Sequence, residues 1–350
     1  MKKPIDENMI IKPVICEGGV RFYSVTEPPF SLHGVWFDTD SFYRIPRGVS
    51  ERVSANILDM CDTTAGGRVR FKTDSPNLAI RAKVRCDEAV SVMSPVAVKG
   101  FDVYADGVFE KSVVPEYSLS RGTVATAFSF SDSKMREITV NFPLYAAVEE
   151  LFIGVSETAS VLSAEPYRYS TPVVFYGSSI TNGASASRPG MTYESILSRR
   201  LGFDYVNLGF GGSAKGEGTM AEYIASLDMS VFVYDYDYNA PTPEHLEETH
   251  ERFFKIFRKK HPNTPVIMIS APKYKECEDR ERRYEIIKRT YENAVASGDK
   301  NVYLLRGSDF FFGLDADFTV DSIHPTDLGF YFMANGIYPV LKSALEGSKI

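Results

Sequence analysis

The feature that most constrains this chain is a change of hydrophobic period near residue 172. From residue 14 to about 168, short apolar runs alternate with polar residues and are separated by turn residues. In 66–75, Val69 and Phe71 alternate with Arg68, Arg70 and Lys72, and 78–85 alternate in the same way. Segments 136–145 and 149–156 read as further strands, with turns at 105–107 and 120–122. A period of two puts every second side chain on one face, so these runs predict half-buried strands. Several short strands with few helical segments predict an antiparallel sandwich or barrel.

Beyond residue 172 the pattern becomes strand, helix, strand. Strands are predicted at 171–177, 203–209, 229–237, 265–272 and 301–307. Helices are predicted at 191–202, closed by Gly202, at 219–227 and at 242–261, where Thr242 is a candidate N-cap. Two more run to about Ser297 and through 327–347. Strands alternating with helices of this length imply an α/β class fold: a largely parallel sheet covered on both faces.

A length of 350 residues suits two domains. The mixed segment 157–170 marks the expected boundary. Residues 1–168 read as an N-terminal β-sandwich domain, with 1–13 an extended leader, and 169–350 as the α/β domain. A net charge of -7 gives no basic surface, so no nucleic-acid partner is expected. No run approaches 18 apolar residues, so no membrane span is expected. The start lacks the apolar core of a secretory signal, which points to the cytoplasm, or to the periplasm or exterior had a leader been removed. Cys16, Cys61, Cys86 and Cys277 form no CxxC pair, and His33, His245, His250 and His261 form no metal-ligand pattern. Asp315 and Asp317 lie in an acidic loop without a full calcium motif.

Open parallel sheets place their sites beyond the carboxyl ends of the strands. Four polar clusters fall there or near the C-terminus: Gly177-Ser178-Ser179-Ile180-Thr181, Asn207-Leu208-Gly209-Phe210-Gly211-Gly212, Asp237-Tyr238-Asn239 and Asp321-Ser322-Ile323-His324-Pro325. A serine nucleophile needs an imidazole to take its proton, and the imidazole needs an acceptor to hold its tautomer. Asp321 and His324 are spaced to share one turn. An oxyanion needs donors, which a backbone N–H, a glycine N–H and an asparagine amide can supply.

These four clusters resemble the four blocks of the SGNH (GDSL-like) hydrolases, over about 172–347. The resemblance implies a flavodoxin-like three-layer α/β/α domain with Ser179 as nucleophile, Gly212 and Asn239 as oxyanion donors, and Asp321 and His324 completing a triad. Gly211 competes with Gly212 for its role, and Asn239 could instead cap a helix. GFDVY (100–104) and ASRPGMTY (186–193) are similar to a bacterial subgroup in which a jelly-roll-like β-sandwich precedes the hydrolase domain. Its members are assigned as acyl or carbohydrate esterases. Two positions depart from the family pattern: Ser178 stands where Asp is usual, and Asp237 where Gly is usual.

The reaction so implied is hydrolysis of a carboxylic ester, with short acyl groups on carbohydrate as first choice and no metal or organic cofactor. The alternatives are a short-chain lipid esterase, an acyltransferase, or a glycan-binding protein without activity. The partner is a small-molecule or glycan ester, and a homo-oligomer is left open. Arg188 could bind substrate or could pair with Asp237 or Glu217. Asp237, Lys215 and Glu217 are further candidates for the mouth of the site.

Overall fold

The computed structural model describes residues 19–86, 91–272, 278–311 and 316–347. The expected leader at 1–13, Cys16, Cys277 and Asp315 lie outside the described residues.

The described N-terminal part is formed by the two-stranded pair Trp36–Asp38 and Ser41–Tyr43 and by two larger antiparallel sheets. One runs, in spatial order, Val20–Ser24, Ala147–Ser156, Asn77–Arg85 and Arg121–Ser129. The other runs Val161–Leu162, Arg68–Thr73, Arg136–Asn141, Phe101–Ala105 and Val108–Val113, with Ser31–His33 added on Arg68–Thr73. The period-two pattern explains their packing: Val69, Phe71, Val103, Ile138 and Val140 of one sheet meet Leu78, Ile80, Val84, Ile153 and Val155 of the other in one buried core. The expected turn at 105–107 closes a hairpin in which Asp106 and Gly107 take φ 50° and 79°, as a two-residue turn with both central residues left-handed requires. The turn expected at 120–122 is displaced. Arg121 and Gly122 open a strand instead, paired with Arg85 and Val84, so the ladder runs on into the polar residues.

The polar face of Arg68–Thr73 is not the solvent face that alternation suggests. Arg68 is 2% exposed and Arg70 6%. Arg68 pairs with Asp204, donates to Tyr205 O at 3.0 Å, and its guanidinium lies 3.7 Å from the Tyr205 ring centroid. Arg70 pairs with Glu137 at 2.6 Å and lies 4.0 Å from the Tyr167 ring centroid, while the face at Arg68 is covered by the chain's other half.

That half is built on a five-stranded parallel sheet in the order Tyr205–Gly209, Val173–Gly177, Val231–Asp235, Val266–Ile269, Val302–Leu305. The second strand in sequence lies outside the first, which is the flavodoxin order. Alternate residues serve opposite layers. Val173, Phe175, Val233 and Ile267 pack with helices Tyr193–Leu201 and Asp327–Glu346. Val174, Tyr176, Phe232, Tyr234 and Met268 pack with helices Gly218–Ile224, Pro243–Lys260 and Glu278–Ala296. The result is a three-layer α/β/α arrangement behind an antiparallel β-sandwich. Thr242 Oγ1 accepts from His245 N and Gly202 sits at φ 72°, as expected, and Thr192, read as helical, is instead an N-cap whose Oγ1 accepts from Ser195 N.

The two parts share cores rather than merely touching. Three short helices, Arg47–Val53, Ala55–Asp59 and Pro95–Lys99, interrupt the β-rich part. Ile45, Ile57 and Met60 join one core of the parallel sheet, and Ala97, Leu144 and Ala146 join the other. A polar node adds direction to this apolar contact. Asp102, from the GFDVY run, is fully buried. It accepts from Asn141 Nδ2 at 2.7 Å, Gly190 N at 2.8 Å and Arg188 Nη1 at 2.9 Å. A buried carboxylate with three donors is compensated for its desolvation, and here the donors come from both parts.

Candidate active site

Three of the four clusters follow adjacent parallel strands, at the point where the strand order reverses. The strand Val173–Gly177 ends in a tight turn into the helix Ser179–Asn182. A Cβ on Gly177 would stand 2.1 Å from Thr181 Oγ1 and 2.3 Å from Asp235 O, so only glycine fits this turn. Ser178 caps the helix, its Oγ accepting from Ile180 N at 3.2 Å. Serine and aspartate are both good N-caps, so the departure at 178 keeps the turn. Ser179 is then the first residue of the helix.

Its hydroxyl lies 2.8 Å from His324 Nε2, and His324 Nδ1 lies 2.7 Å from Asp321 Oδ2. The other Asp321 oxygen accepts from the backbone N–H groups of His324 at 2.8 Å and Ile323 at 3.1 Å. One carboxylate therefore shapes the turn and holds the imidazole. Burial works to raise the Asp321 carboxyl, but the His324 N–H and imidazole outweigh it and hold it below the usual range. Ser322, between the two, takes a left-handed φ of 70°, an unfavourable conformation for a residue with a Cβ. Bonds from Val320 N to His324 O at 2.9 Å and from Thr326 N to Phe318 O at 2.8 Å close the loop around it.

The second cluster lies beside Ser179. A Cβ on Gly211 would stand 3.4 Å from Ser179 Cβ, whereas one on Gly212 would meet nothing within 4 Å. Gly212 takes φ 68°. Among the described residues, the N–H groups of Ser179, Gly211 and Gly212 have no backbone acceptor. From the third cluster, Asn239 donates one Nδ2 hydrogen to Phe210 O at 2.8 Å, which ties it to the second cluster and leaves its other hydrogen for a ligand. Asn207 donates to Thr181 O and accepts from Gly209 N at 2.8 Å, binding the second cluster to the helix Ser179–Asn182. The arrangement can move a proton from Ser179 along an oriented imidazole, with N–H donors beside it.

The polar residues expected at the mouth make contacts within the protein. Arg188 pairs with neither Asp237 nor Glu217. It joins Asp102 and the Tyr104 hydroxyl, and its guanidinium lies 3.9 Å from the Phe109 ring centroid. The geometry draws it into the junction because Asp102 is a fully buried anion that needs a donor. Asp237 is 3% exposed and not a free charge: it accepts from Ala271 N at 2.8 Å and from Arg283 Nη1 at 3.2 Å. Arg283 also binds Asp237 O and Ala240 O, so the departure at 237 fastens the loop carrying Asn239. Glu217 accepts from Lys215 N at 3.2 Å and the Tyr176 hydroxyl at 3.3 Å, and Lys215 O meets His245 Nε2 at 2.8 Å. These two shape a loop. His250, buried against Thr290 Oγ1 at 2.9 Å, is pushed down to about 3 by burial and so stays neutral. Among the described residues, no group of three or more His, Cys, Asp and Glu could hold a metal ion, and no helix is long and apolar enough to cross a membrane.

Two residues near the site carried no sequence signal. Arg44, 0% exposed, reaches from the β-rich part to the second cluster. Its Nη1 donates to Gly209 O at 2.6 Å and Asn207 O at 3.4 Å, and its Nη2 to Thr63 Oγ1 at 2.9 Å. The cation lies 4.4 Å from the Phe210 ring centroid. Burial lowers its pKa to about 10, which leaves it charged at neutral pH. Tyr145 brings its hydroxyl within 3.5 Å of the point where a Gly211 Cβ would stand.

The profile of the GDSL-like lipase/acylhydrolase family matches residues 170–342, and that of the N-terminus of SGNH-hydro-type esterases (GxDLY) matches 20–161. Gly100, Asp102 and Tyr104 fill the G, D and Y of that second motif. A structure from Bacteroides ovatus described as a GDSL-like lipase is 31% identical, with TM-score 0.82, 93% of this chain and 98% of that one covered. A salicylyl-acyltransferase from a tetracycline biosynthetic pathway is 19% identical, with TM-score 0.77 and 95% and 99% coverage. An acetyl xylan esterase from the rumen bacterium Butyrivibrio proteoclasticus is 13% identical, with TM-score 0.63 and 94% and 99% coverage. These last two share the fold. No curated protein matches the chain. On the family profiles and the 31% identical structure, this chain belongs to the GDSL-like lipase/acylhydrolase family and is a carboxylic ester hydrolase of SGNH type.

Proposed function

We propose that the protein removes short acyl groups, acetyl first, from a carbohydrate ester by way of a Ser179–His324–Asp321 triad. The observation that carries the reading is the unbroken chain from Ser179 Oγ through His324 to Asp321, with bonds of 2.8 and 2.7 Å. The carbohydrate and acetyl parts draw on the fold shared with the acetyl xylan esterase.

His324 Nε2 takes the Ser179 proton as Oγ attacks the acyl carbonyl carbon. The carbonyl oxygen becomes an oxyanion, held by the N–H groups of Ser179 and Gly212 and by the free Nδ2 hydrogen of Asn239. Asp321 stabilises the imidazolium without taking its proton. His324 then protonates the alcohol oxygen, the ester C–O bond breaks, and the acyl group stays on Ser179. Water, deprotonated by His324, attacks the acyl-enzyme and releases the acid. Each step returns its proton through the same imidazole.

The test is hydrolysis of 4-nitrophenyl acetate and of acetylated sugars by the wild type and Ser179→Ala. Loss of the nucleophile lowers kcat on the order of 10⁴-fold or more. Equal rates from both proteins would place the nucleophile elsewhere.

A further inference from the structure

We propose that a polar pocket behind Tyr145 is the subsite for the polyhydroxylated alcohol part of the ester, a sugar unit. This deepens the esterase reading above and rests on it. The pocket has a volume of about 430 Å³ and is walled by Arg47, Asp59, Asp62, Thr63, Arg85 and Tyr145 and by the apolar Leu58, Cys61 and Ala147, all from the β-rich part. That volume falls within the ~300–1,000 Å³ usual for small-ligand sites.

Its place follows from Tyr145. The hydroxyl lies 3.5 Å from where a Gly211 Cβ would stand, and the same point is 3.4 Å from Ser179 Cβ. One side chain is therefore a wall of the pocket and a neighbour of the nucleophile. Thr63, on the same wall, is held by Arg44, whose other nitrogen holds the Gly209 carbonyl. Pocket and oxyanion loop are fixed to one buried cation.

Its chemistry follows from the lining. Two guanidinium groups and two carboxylates balance in charge, so neither an anion nor a cation is selected. Asp62 and Arg85 are paired and hold each other in place. Carboxylates accept from hydroxyls, and guanidinium groups donate to them, so adjacent sugar hydroxyls can satisfy both. A fatty chain in this space would meet only Leu58, Cys61 and Ala147, and would strip water from four charged groups without returning a hydrogen bond.

The test uses the full chain with Arg47→Ala and Asp59→Asn, both outside the catalytic machinery; the Arg47 side chain is 67% exposed. With mono-O-acetylated xylobiose, each substitution raises KM about tenfold or more, the effect of losing one charge-assisted hydrogen bond. The rate on 4-nitrophenyl acetate, whose leaving group has no sugar hydroxyls, stays at the wild-type value. In parallel, xylobiose binds Ser179→Ala in calorimetry, and adding Arg47→Ala weakens that binding by the same factor. The proposal is overturned if the sugar and aryl esters respond alike, if neither responds, or if xylobiose gives no heat of binding. Failure of the esterase reading looks different: Ser179→Ala keeps the wild-type aryl acetate rate while xylobiose binding still depends on Arg47.

Discussion

Arg44→Met tests whether the β-rich part helps to set the oxyanion site. Arg44 is fully buried, far in sequence from any of the four clusters, and grips the carbonyl of Gly209 at 2.6 Å. The substitution keeps much of the volume and removes the donors. It leaves the Gly209 carbonyl short of a partner, at ~1–3 kcal/mol for a buried group left unsatisfied, while the Thr63 hydroxyl keeps its bond to Met60 O at 2.9 Å. The desolvation cost that lowers the Arg44 pKa to about 10 disappears with the charge and offsets part of this. The net expectation is a stability loss of about 1–3 kcal/mol. The catalytic effect comes through the segment that Arg44 holds. Gly211 and Gly212 follow Gly209 directly, and Phe210 O positions the Asn239 amide. Disordering these donors costs no more than losing one of them outright, ~10²–10³ in kcat. Asn239→Ala in the same assay measures that ceiling. KM for 4-nitrophenyl acetate should move less than about twofold, because the donors strengthen as charge develops in the transition state. Arg44→Lys should recover part of the rate: an ammonium can reach one carbonyl but lacks the fork that spans Gly209 and Thr63. Steady-state kinetics paired with urea unfolding separates the outcomes. A protein that loses stability but keeps kcat would refute the reasoning, as would a rise in KM at constant kcat.

Two further predictions concern buried acids. Burial pushes the Glu194 carboxyl from 4.5 up to about 8, against the opposing effects of its backbone and the Thr192 and Tyr193 side chains. The folded state therefore keeps a proton that the unfolded chain releases, so stability is full below pH ~4.5 and falls by up to ~1.4 kcal/mol per pH unit toward pH 8. Glu194→Gln should remove that slope in urea unfolding followed from about pH 5 to 8, and a flat wild-type profile would show that Glu194 holds no such proton. Asp102→Ala strips an acceptor from Asn141, Gly190 and the half-buried Arg188. It should destabilise the protein by ~3–5 kcal/mol in thermal or urea unfolding while leaving kcat/KM within about twofold below the transition; a loss under about 1 kcal/mol would show that the node is dispensable.

How much of this was legible follows from the range of each interaction in sequence. The parallel strands were visible because both faces are buried, and the β-sandwich because one face of each strand alternates. The Asp321–His324 contact was visible because it spans three residues and depends on a single turn. The helix cap at Thr242 is local for the same reason. What failed was the inference that a polar residue on an alternating strand faces water, or that a polar residue near a site faces substrate. Arg68 is polar and buried because Asp204 and Tyr205 of the second half cover it, and Arg70 because it pairs with Glu137 and lies against the Tyr167 ring. Arg188 follows the nucleophile loop in sequence, yet its partner Asp102 is 86 residues away. The Arg44 contact with Gly209 spans 165 residues.

These long-range cases share one physical cause. Arg44, Arg68 and Arg188 are each a cation withdrawn from water at the meeting of the two parts and compensated by a carboxylate or carbonyl from the opposite part. Such a contact has no period, cap or spacing to mark it. Its energy exists only once both surfaces are assembled, because an isolated half would leave the cation facing water with no reason to order it. The groups that bind acyl chemistry can therefore be read along the strands of the parallel sheet, while the groups that fix their geometry cannot. In Arg44 the distinction is sharpest: one guanidinium ties the second cluster, and through Phe210 the third, to a loop of the β-rich part. The β-rich part is thus placed to act on the alignment of the donors as well as on the substrate, and a change at the junction should register in kcat before it registers in the aryl ester's KM.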